Sequence, residues 1–389
     1  MNSFSELSWD DAHQRAWSAT QQLNFELLPV AALADRSLAQ DCFALCDLPR
    51  YTTSAMDGWA VAGVGPWKIT GEIKAGQPLE RVLQPGTSVR IATGAVIPDG
   101  TLGVLRWENA QEIDGYIHGE VSANLDIRPS GEECQKGDLL ISRGQKLSPT
   151  HLGLLAATGY DEVEVIRKPR IALLLLGDEL QLSGIPANGL VRDSLGPQLP
   201  HWISKLGGEV ISQGYVTDEL GSVISAISEV IGKCDLIITT GGTADGPRDH
   251  VHAALAANAA RFIVDRVRSR PGHPALLAEI ASPVPTLLLG LPGNPQSAIV
   301  GLMTLGAPVI ATFLGQIFKP LTVVQTNDDL NAPPDFTRLV LGNLIQGRFA
   351  MGEHLGSAML RGLANSTGFG LAPSGATKSG AQIRWLPLP

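Results

Sequence analysis

Three apolar runs constrain the fold of this chain more than any other feature: IALLLL at 171–176, DLIITT at 235–240 and PTLLLG at 285–290. Each is too short for a long helix, and an all-apolar run is typical of a strand buried on both faces of a parallel sheet. A fourth strand, EVISQGYV, and two helical stretches alternate with these runs, at 209–216, Asp193–Leu206 and Glu219–Ile231. Residues 169–318 therefore predict a doubly wound, mostly parallel α/β domain, which binds ligands at the carboxyl ends of its strands.

An uncharged stretch from Ser297 to Gly315 has about the length of a membrane span. It contains Gly301, Gly306 and Pro308, and it follows directly on a strand-and-loop pattern. We predict a buried core or interface helix rather than a membrane span.

The segments on either side of this region predict the other parts of a multidomain α/β protein. Residues 45–134 contain short β-type runs broken by turn signals, which predicts an inserted β domain, and residues 319–389 predict a C-terminal β domain. Residues 1–44 and 135–168 predict an elongated, partly helical domain. Its helices are expected at 8–24, capped by Ser8, and near Pro149–Thr158.

Length, charge and cysteine usage exclude several classes of protein. A chain of 389 residues is expected to form several domains, and a net charge of −9 argues against binding to nucleic acid or to an acidic membrane. The four cysteines form no CxxC pair, which disfavours a zinc site. The acidic start of the chain lacks the apolar segment of a signal peptide, so we expect a cytoplasmic protein.

Two glycine-containing loops follow buried strands and are candidate anion sites. Gly241 and Gly242 lie in TTGGTADG, and Pro292, Gly293 and Asn294 lie in LPGNPQSA, which opens a helix. Glycine exposes backbone N–H groups, and the first turn of a helix has unpaired N–H groups and a positive dipole end. Each loop alone is equally compatible with a tight turn; together, at the ends of strands in one sheet, they favour a phosphate site.

A basic segment, RFIVDRVRSRPGHP, gives this acidic protein its best candidate oxyanion site. Arg266, Arg268 and Arg270 alternate, so on a strand they would share one face, and His273 follows in a Pro-Gly turn. Guanidinium groups match the geometry of oxyanions. A solvated strand face remains an alternative interpretation.

Carboxylates after two strands are candidate magnesium ligands. Asp249 follows the TGG loop, and Asp178 and Glu179 lie in GDEL after the first apolar run. Carboxylate oxygens suit Mg²⁺, although lone loop carboxylates also serve as helix caps. A transition-metal site of Asp249, His250 and His252 is disfavoured, because positions i and i+2 of a helix do not face each other.

Seven segments, in order, resemble those of the molybdopterin molybdenumtransferases, the MoeA and gephyrin E-domain family. They begin with SAMDG at 54–58, in LPRYTTSAMDGWAV, and continue with RIATGAVIPDG, GDEL, DLIITTGG, RPGHP, LPGNPQSA and GSAMLRGLA. The resemblance spans nearly the whole chain, and the predicted layout matches the four domains of this family.

The resemblance implies a function and a set of ligands. Family members insert molybdate into adenylylated molybdopterin and release AMP, with Mg²⁺ assisting, and they form homodimers. The substrates of this chain would then be molybdate and adenylylated molybdopterin. Contact with other enzymes of molybdenum-cofactor assembly is a further expectation.

The resemblance also assigns roles to individual residues. Asp57 and Thr93 match an active-site aspartate and a substrate-contacting threonine, and Glu179 matches an active-site glutamate. The remaining matches are to carboxylates near the nucleotide and metal and to the molybdate pocket: Asp235, Asp249, Arg338 and Ser357. In the dimer, Asp57 and Thr93 of one subunit are expected to complete a site built on Asp249, Arg270 and Glu179 of the other.

The chain departs from the family pattern within these motifs. RPGHP replaces KPGKP, so Arg270 and His273 stand where the family has lysines. Further departures are Glu133, Leu175, Leu176, Leu195 and Ala244. These changes motivate a first alternative, a non-catalytic molybdopterin-binding or scaffold protein. A second alternative is a molybdopterin adenylyltransferase, since that enzyme shares the α/β fold.

Overall fold

Alternating side chains of the first apolar run pack into two different cores, as expected for a strand covered on both faces. The computed structural model describes residues 6–76, 82–244, 249–283 and 285–389. In strand Arg170–Leu176, the side chains of Ile171, Leu173 and Leu175 join one hydrophobic cluster, and those of Ala172, Leu174 and Leu176 join another. Because both faces are apolar and buried, this strand occupies the interior of a sheet with helices on either side.

The α/β sheet has six strands, of which five run in one direction and one, Leu276–Ile280, runs in the other. In spatial order the strands are Glu209–Val216, Arg170–Leu176, Leu236–Thr240, Thr286–Leu291, Leu276–Ile280 and Arg261–Asp265. The prediction of a doubly wound, mostly parallel sheet is confirmed. Its helices are Leu199–Leu206, Leu220–Val230, Val251–Ala257 and the long helix Pro295–Phe313.

The predicted helix Asp193–Leu206 is wrong in its first turns, because the helix begins only at Leu199. The carboxylate of Asp193 accepts the N–H groups of Leu195 and Gly196, each at 2.9 Å. An aspartate that bonds to backbone N–H groups just ahead of it stabilises a turn in place of helix.

The long helix Pro295–Phe313 is apolar and long enough to cross a membrane, but 83% of its most apolar 18-residue stretch is buried inside the protein. Residues 302–306 form a π-helical segment in its middle. The side chains of Ile299, Leu302 and Ile310 belong to the larger hydrophobic cluster of the α/β region. The helix therefore forms part of the protein core, as predicted.

A second, seven-stranded sheet contains the C-terminal β region. In spatial order it runs through Leu7–Ser8, Val267–Arg270, Thr337–Ile345, Gly368–Ala372, Gln382–Pro387 and Thr322–Gln325, with Arg348–Met351 paired beside Thr337–Ile345. Two of its strands therefore come from outside residues 319–389. Short strands Leu330–Ala332 and Gly375–Thr377 pair with each other, and helix Leu360–Ala364 follows strand Arg348–Met351 along the chain.

The chain divides into two compact units. One comprises residues 1–26, 35–39 and 165–389, and the other comprises residues 27–34 and 40–164. Within the first, helix Trp9–Trp17 begins after Ser8, whose Oγ accepts the N–H of Asp11 at 3.1 Å, as predicted. The helix ends at Trp17, before the predicted residue 24, and the N–H of Leu23 donates to the carbonyl of Phe313 outside any helix.

The second unit is rich in β structure, as predicted for residues 45–134. Its main sheet has the spatial order Gly103–Arg106, Gly58–Val61, Thr87–Ile91, Trp67–Ile73, Tyr116–His118 and Gln111–Ile113. Helix Pro149–Ala157 forms close to its predicted position, with short 3₁₀ turns at Val30–Ala32 and Trp107–Asn109. Its shorter strands are Cys42–Phe43, Thr53–Ser54, Ile127–Arg128 and Leu139–Ile141. Strands Phe25–Pro29 and Glu162–Ile166 have residues in both units.

Candidate functional site

The two glycine loops lie in contact at one edge of the α/β sheet. Strands Leu236–Thr240 and Thr286–Leu291 are parallel neighbours, so their loops emerge side by side. The N–H of Gly241 donates to the carbonyl of Leu291 at 2.9 Å, and a Cβ placed on Gly293 would lie 3.7 Å from the Cα of Gly241. Gly241 and Gly242 have φ of 82° and 65°, a left-handed conformation that favours glycine. The rest of the first loop, residues 245–248, lies outside the described residues.

The second loop connects this edge to the C-terminal sheet region. Asn294 occupies the position before the first turn of the long helix, and its side chain donates to Oγ of Ser357 at 3.4 Å. The N–H of Gln296 donates to the carbonyl of Ser357 at 3.0 Å. These bonds place Ser357 beside the start of the helix, where N–H groups and the helix dipole favour an anion.

The RPGHP segment places the side chains of Arg270 and His273 beside Asn294 and Ser357. Arg270 is the last residue of strand Val267–Arg270 and lies in register with Arg338 of the parallel neighbouring strand. The turn is closed by the N–H of Val267, which donates to the carbonyl of His273 at 2.9 Å. Gly272, with φ of 98°, packs so closely on Val300 that an added Cβ would lie 2.7 Å from it.

These segments enclose a cavity of about 360 Å³ in the larger unit. Six residues singled out from the sequence line it: Arg270, His273, Pro292, Asn294, Arg338 and Ser357. Its charged lining is cationic, since none of the described residues that line it is a carboxylate. A small cavity with two guanidinium groups, a hydroxyl and the start of a helix is chemically suited to a small oxyanion.

Arg266 does not share the strand face with Arg268 and Arg270, contrary to the prediction. It precedes the strand and adopts a left-handed φ of 68°, which breaks the alternation. Arg268 and Arg270 are two residues apart within the strand, as expected.

The two carboxylates proposed for magnesium lie after different strands. Glu179 is exposed, and its carboxylate lies against Gly177, where an added Cβ would approach Oε1 to 2.9 Å. Asp249 lies between the loop and helix Val251–Ala257. Among the described residues, no three His, Cys, Asp or Glu side chains are grouped as a metal site. His252 instead contacts Asp265 at 2.9 Å through Nε2.

Asp57 and Thr93 contact each other directly in the β-rich unit. The backbone N–H and the Oγ1 of Thr93 donate to Oδ1 of Asp57, at 2.7 and 3.1 Å. Both residues are exposed, and Asp57 precedes strand Gly58–Val61. The exposed carboxylate is therefore held in one orientation by its neighbour.

Asp235 lies apart from the glycine loops. It precedes strand Leu236–Thr240, whereas Gly241 and Gly242 follow the same strand, so the two ends lie on opposite edges of the sheet. Arg167 donates to both carboxylate oxygens of Asp235, at 2.8 and 2.7 Å, and the N–H of Arg170 donates at 2.7 Å. The bond to Asp235 raises the pKa of the Arg167 guanidinium. This geometry favours a structural role for Asp235 over the nucleotide-binding role expected from the sequence.

Two further residues adjoin the cavity-lining side chains and were not identified from the sequence. The ring of Phe336 contacts both Arg270 and His273, and the carboxylate of Glu6 contacts His273. Phe336 lies two residues before Arg338 in the sequence, which is a weak signal. No spacing or motif indicates Glu6, because its contact joins residues 267 positions apart.

Comparison with known proteins adds independent information. Residues 7–159 match the model of the MoeA N-terminal region, domains I and II, and residues 172–312 match the model of a probable molybdopterin binding domain. A molybdopterin molybdenumtransferase of Staphylococcus aureus is 30% identical over 361 residues, which cover 89% of this chain and 81% of that protein.

Another molybdopterin molybdenumtransferase, from a Nostoc species, is 30% identical and covers 95% of this chain and 90% of its own length. The crystal structure of a molybdopterin biosynthesis MoeA protein from Pyrococcus horikosii matches 99% of this chain and all of that one, with a TM-score of 0.81 and 22% identity. At that identity the structural match supports the fold, while the sequence relatives establish the family. The chain belongs to the molybdopterin molybdenumtransferase family.

Proposed function

We propose that this chain inserts molybdate into adenylylated molybdopterin and releases AMP. The observation that carries the proposal is the cationic cavity, in which Arg270 and Arg338 lie in register on neighbouring strands. Molybdate is a small dianion, and guanidinium groups bind such oxyanions with charge-assisted hydrogen bonds. Family membership supplies the substrate class.

The two glycine loops are the proposed phosphate site. Their backbones are in contact through the N–H of Gly241, which donates to Leu291, and the second loop opens a long helix whose positive dipole end lies at this sheet edge. We assign the phosphates of the substrate to Gly241, Gly242, Pro292, Gly293 and Asn294. Asn294 also lines the oxyanion cavity, which would bring the two reactants together.

The reaction balances without an outside oxidant. Two dithiolene thiols bond to molybdenum, and their two protons leave with one molybdate oxygen as water. Water then cleaves the phosphoanhydride, giving AMP and the terminal phosphate of the cofactor. The chain would contribute charge neutralisation and orientation to both steps.

Magnesium is proposed as an assisting ion at Glu179 and Asp249. Mg²⁺ is commonly held by one or two protein carboxylates, with substrate phosphates and water completing its shell. The exposed carboxylate of Glu179 fits such an open site. When bound, the ion would neutralise charge on the phosphoanhydride.

We further propose a cytoplasmic homodimer in which Asp57 and Thr93 of one subunit serve the cavity of the other. The fixed, exposed carboxylate of Asp57 supports this role, because such a group is available to a second chain. Mixing Asp57→Asn subunits with Arg270→Ala subunits tests it. Activity recovered on mixing two inactive variants supports a shared site, and no recovery contradicts it.

A single-turnover assay tests the proposed function. Purified protein is incubated with adenylylated molybdopterin and Mg²⁺, with and without molybdate, and AMP is measured by chromatography. We expect AMP release that depends on molybdate and on Arg338. Arg261→Gln is the matched control, because Arg261 pairs with Glu279 and does not line the cavity.

The outcome also separates the alternatives. Binding of the substrate without AMP release would indicate a scaffold protein. Formation of adenylylated molybdopterin from ATP and molybdopterin would indicate an adenylyltransferase.

A further inference from the structure

Two side chains of the cavity, those of Arg270 and His273, are held by two residues that do not line it. Arg270 and His273 are separated by a Pro-Gly turn, so the backbone alone leaves both side chains with several rotamers. Both contact the same aromatic ring. The guanidinium carbon of Arg270 lies 4.9 Å from the centre of the Phe336 ring, and the His273 ring lies 5.6 Å from it.

The position of Phe336 is itself fixed. Its N–H donates to the carbonyl of Pro333 at 3.1 Å, and it directly precedes the strand that carries Arg338. A half-buried ring in this place offers a face to the guanidinium of Arg270 and packs beside the imidazole of His273. Such contacts restrict the rotation of both side chains.

Glu6 holds His273 from the other direction. Its Oε1 lies 3.0 Å from Nε2 of His273, and the side chain of His273 is only 19% exposed. Glu6 directly precedes strand Leu7–Ser8, which pairs with the strand that carries Arg270. A carboxylate that accepts a hydrogen bond from one ring nitrogen fixes the orientation and the tautomer of an imidazole.

We propose that Glu6 and Phe336 are positioning residues for oxyanion binding, acting through His273 and Arg270. The inference rests on the proposed function of the cavity. An imidazole presents its two nitrogens in fixed directions, and Nε2 of His273 faces Glu6, so the orientation of the ring decides which atom faces the cavity. The contacts of Glu6 and Phe336 with His273 supply that orientation.

Molybdate binding to the purified full-length protein tests the proposal by calorimetry. Glu6→Ala and Phe336→Ala should each weaken molybdate affinity about tenfold, the effect of losing one ordered charge-assisted contact. Glu6→Gln and Phe336→Tyr, which keep an acceptor and a ring, should recover most of the affinity. Glu279→Gln and Phe318→Ala are matched controls, since Glu279 pairs with Arg261, Phe318 packs on Trp17, and neither is among the residues that line the cavity.

Double variants separate positioning from a general structural effect. If Glu6 acts through His273, adding Glu6→Ala to His273→Ala should leave the affinity of the single His273 variant unchanged. Phe336→Ala should likewise have no effect in the Arg270→Ala/His273→Ala background. Further weakening in these backgrounds would overturn the proposal, as would tighter molybdate binding by Glu6→Ala, which would make Glu6 a competitor of the anion.

The same measurements distinguish failure of this inference from failure of the proposed function. Wild-type affinity in Arg270→Ala and Arg338→Ala would reject the cavity as the oxyanion site. Weakened affinity in those variants, with wild-type affinity in Glu6→Ala and Phe336→Ala, would reject only the positioning role.

Discussion

The ring of His13 contacts the carbonyl of Thr304 through Nδ1, at 2.9 Å, in the π-helical part of the long helix. Pro308, four residues later, has no N–H to donate to that carbonyl, so a side chain takes the place of the helical bond. Nε2 of the same ring accepts from Nε1 of Trp17 at 3.3 Å. The two bonds assign a neutral ring with its proton on Nδ1.

This arrangement predicts a pH-dependent stability. Burial lowers the pKa of His13 below 6.5, so the unfolded chain binds a proton more readily than the folded one. The stability from the neutral ring is complete above about pH 6.5 and is lost as the pH falls below it, by at most about 1.4 kcal/mol per pH unit. Urea unfolding of wild type and His13→Asn between pH 5 and 8 checks this. Equal pH slopes in the two proteins would contradict it.

Gly272→Ala should both destabilise the protein and weaken oxyanion binding. The φ of 98° and the 2.7 Å approach of an added Cβ to Val300 leave no room for a methyl group. We expect a loss of about 1–3 kcal/mol in the free energy of unfolding. Gly214→Ala is the control, since its Cβ would meet only Leu174, at 3.9 Å. A normal melting temperature in Gly272→Ala would refute the expectation.

Asp235→Asn should reduce stability without affecting nucleotide binding. The substitution removes a charge from a buried carboxylate that holds Arg167 and the N–H of Arg170. We expect a cost of about 2 kcal/mol, moderated because Arg167 is partly exposed. Denaturant unfolding and AMP titration measure the two properties. Weaker AMP binding with unchanged stability would restore the binding role expected from the sequence.

Thr93→Val should lower turnover while leaving the β-rich unit folded. The variant loses the Oγ1 bond to Asp57 and keeps the backbone N–H bond, so the carboxylate becomes less well oriented. A rate of AMP release about ten- to hundredfold lower is expected. Thr93→Ser, which keeps a hydroxyl, should be nearly normal. Equal rates in the Val and Ser variants would exclude a role for the hydroxyl.

Much of the fold could be predicted from local pattern. The apolar runs indicate strands buried on both faces, and the turn signals of residues 45–134 indicate β structure. The sequence could not predict that Leu7–Ser8 and Val267–Arg270 continue the C-terminal sheet, because pairing between distant short strands has no local signal. The helix expected from Asp193 fails because a single Asx turn outweighs helical periodicity there.

The residues of the candidate site also fall into those that local pattern could predict and those that it could not. Residues within motifs that follow strands, such as Asn294, could be assigned to a shared sheet edge, because parallel strands end together. Asp235 has the same motif support, but its position before the strand places it at the opposite edge. Glu6 could not be predicted, since its contact with His273 depends on tertiary packing alone.

The pairing of Arg270 with Arg338 leaves two like charges on adjacent strands. Their mutual repulsion is a standing cost that any bound dianion relieves, so the protein should resist heat better in sulfate or phosphate buffer than in chloride at equal ionic strength. Those same salts would occupy the place of the oxyanion. The choice of buffer therefore alters both the measured thermal stability of the protein and its apparent affinity for its own anion.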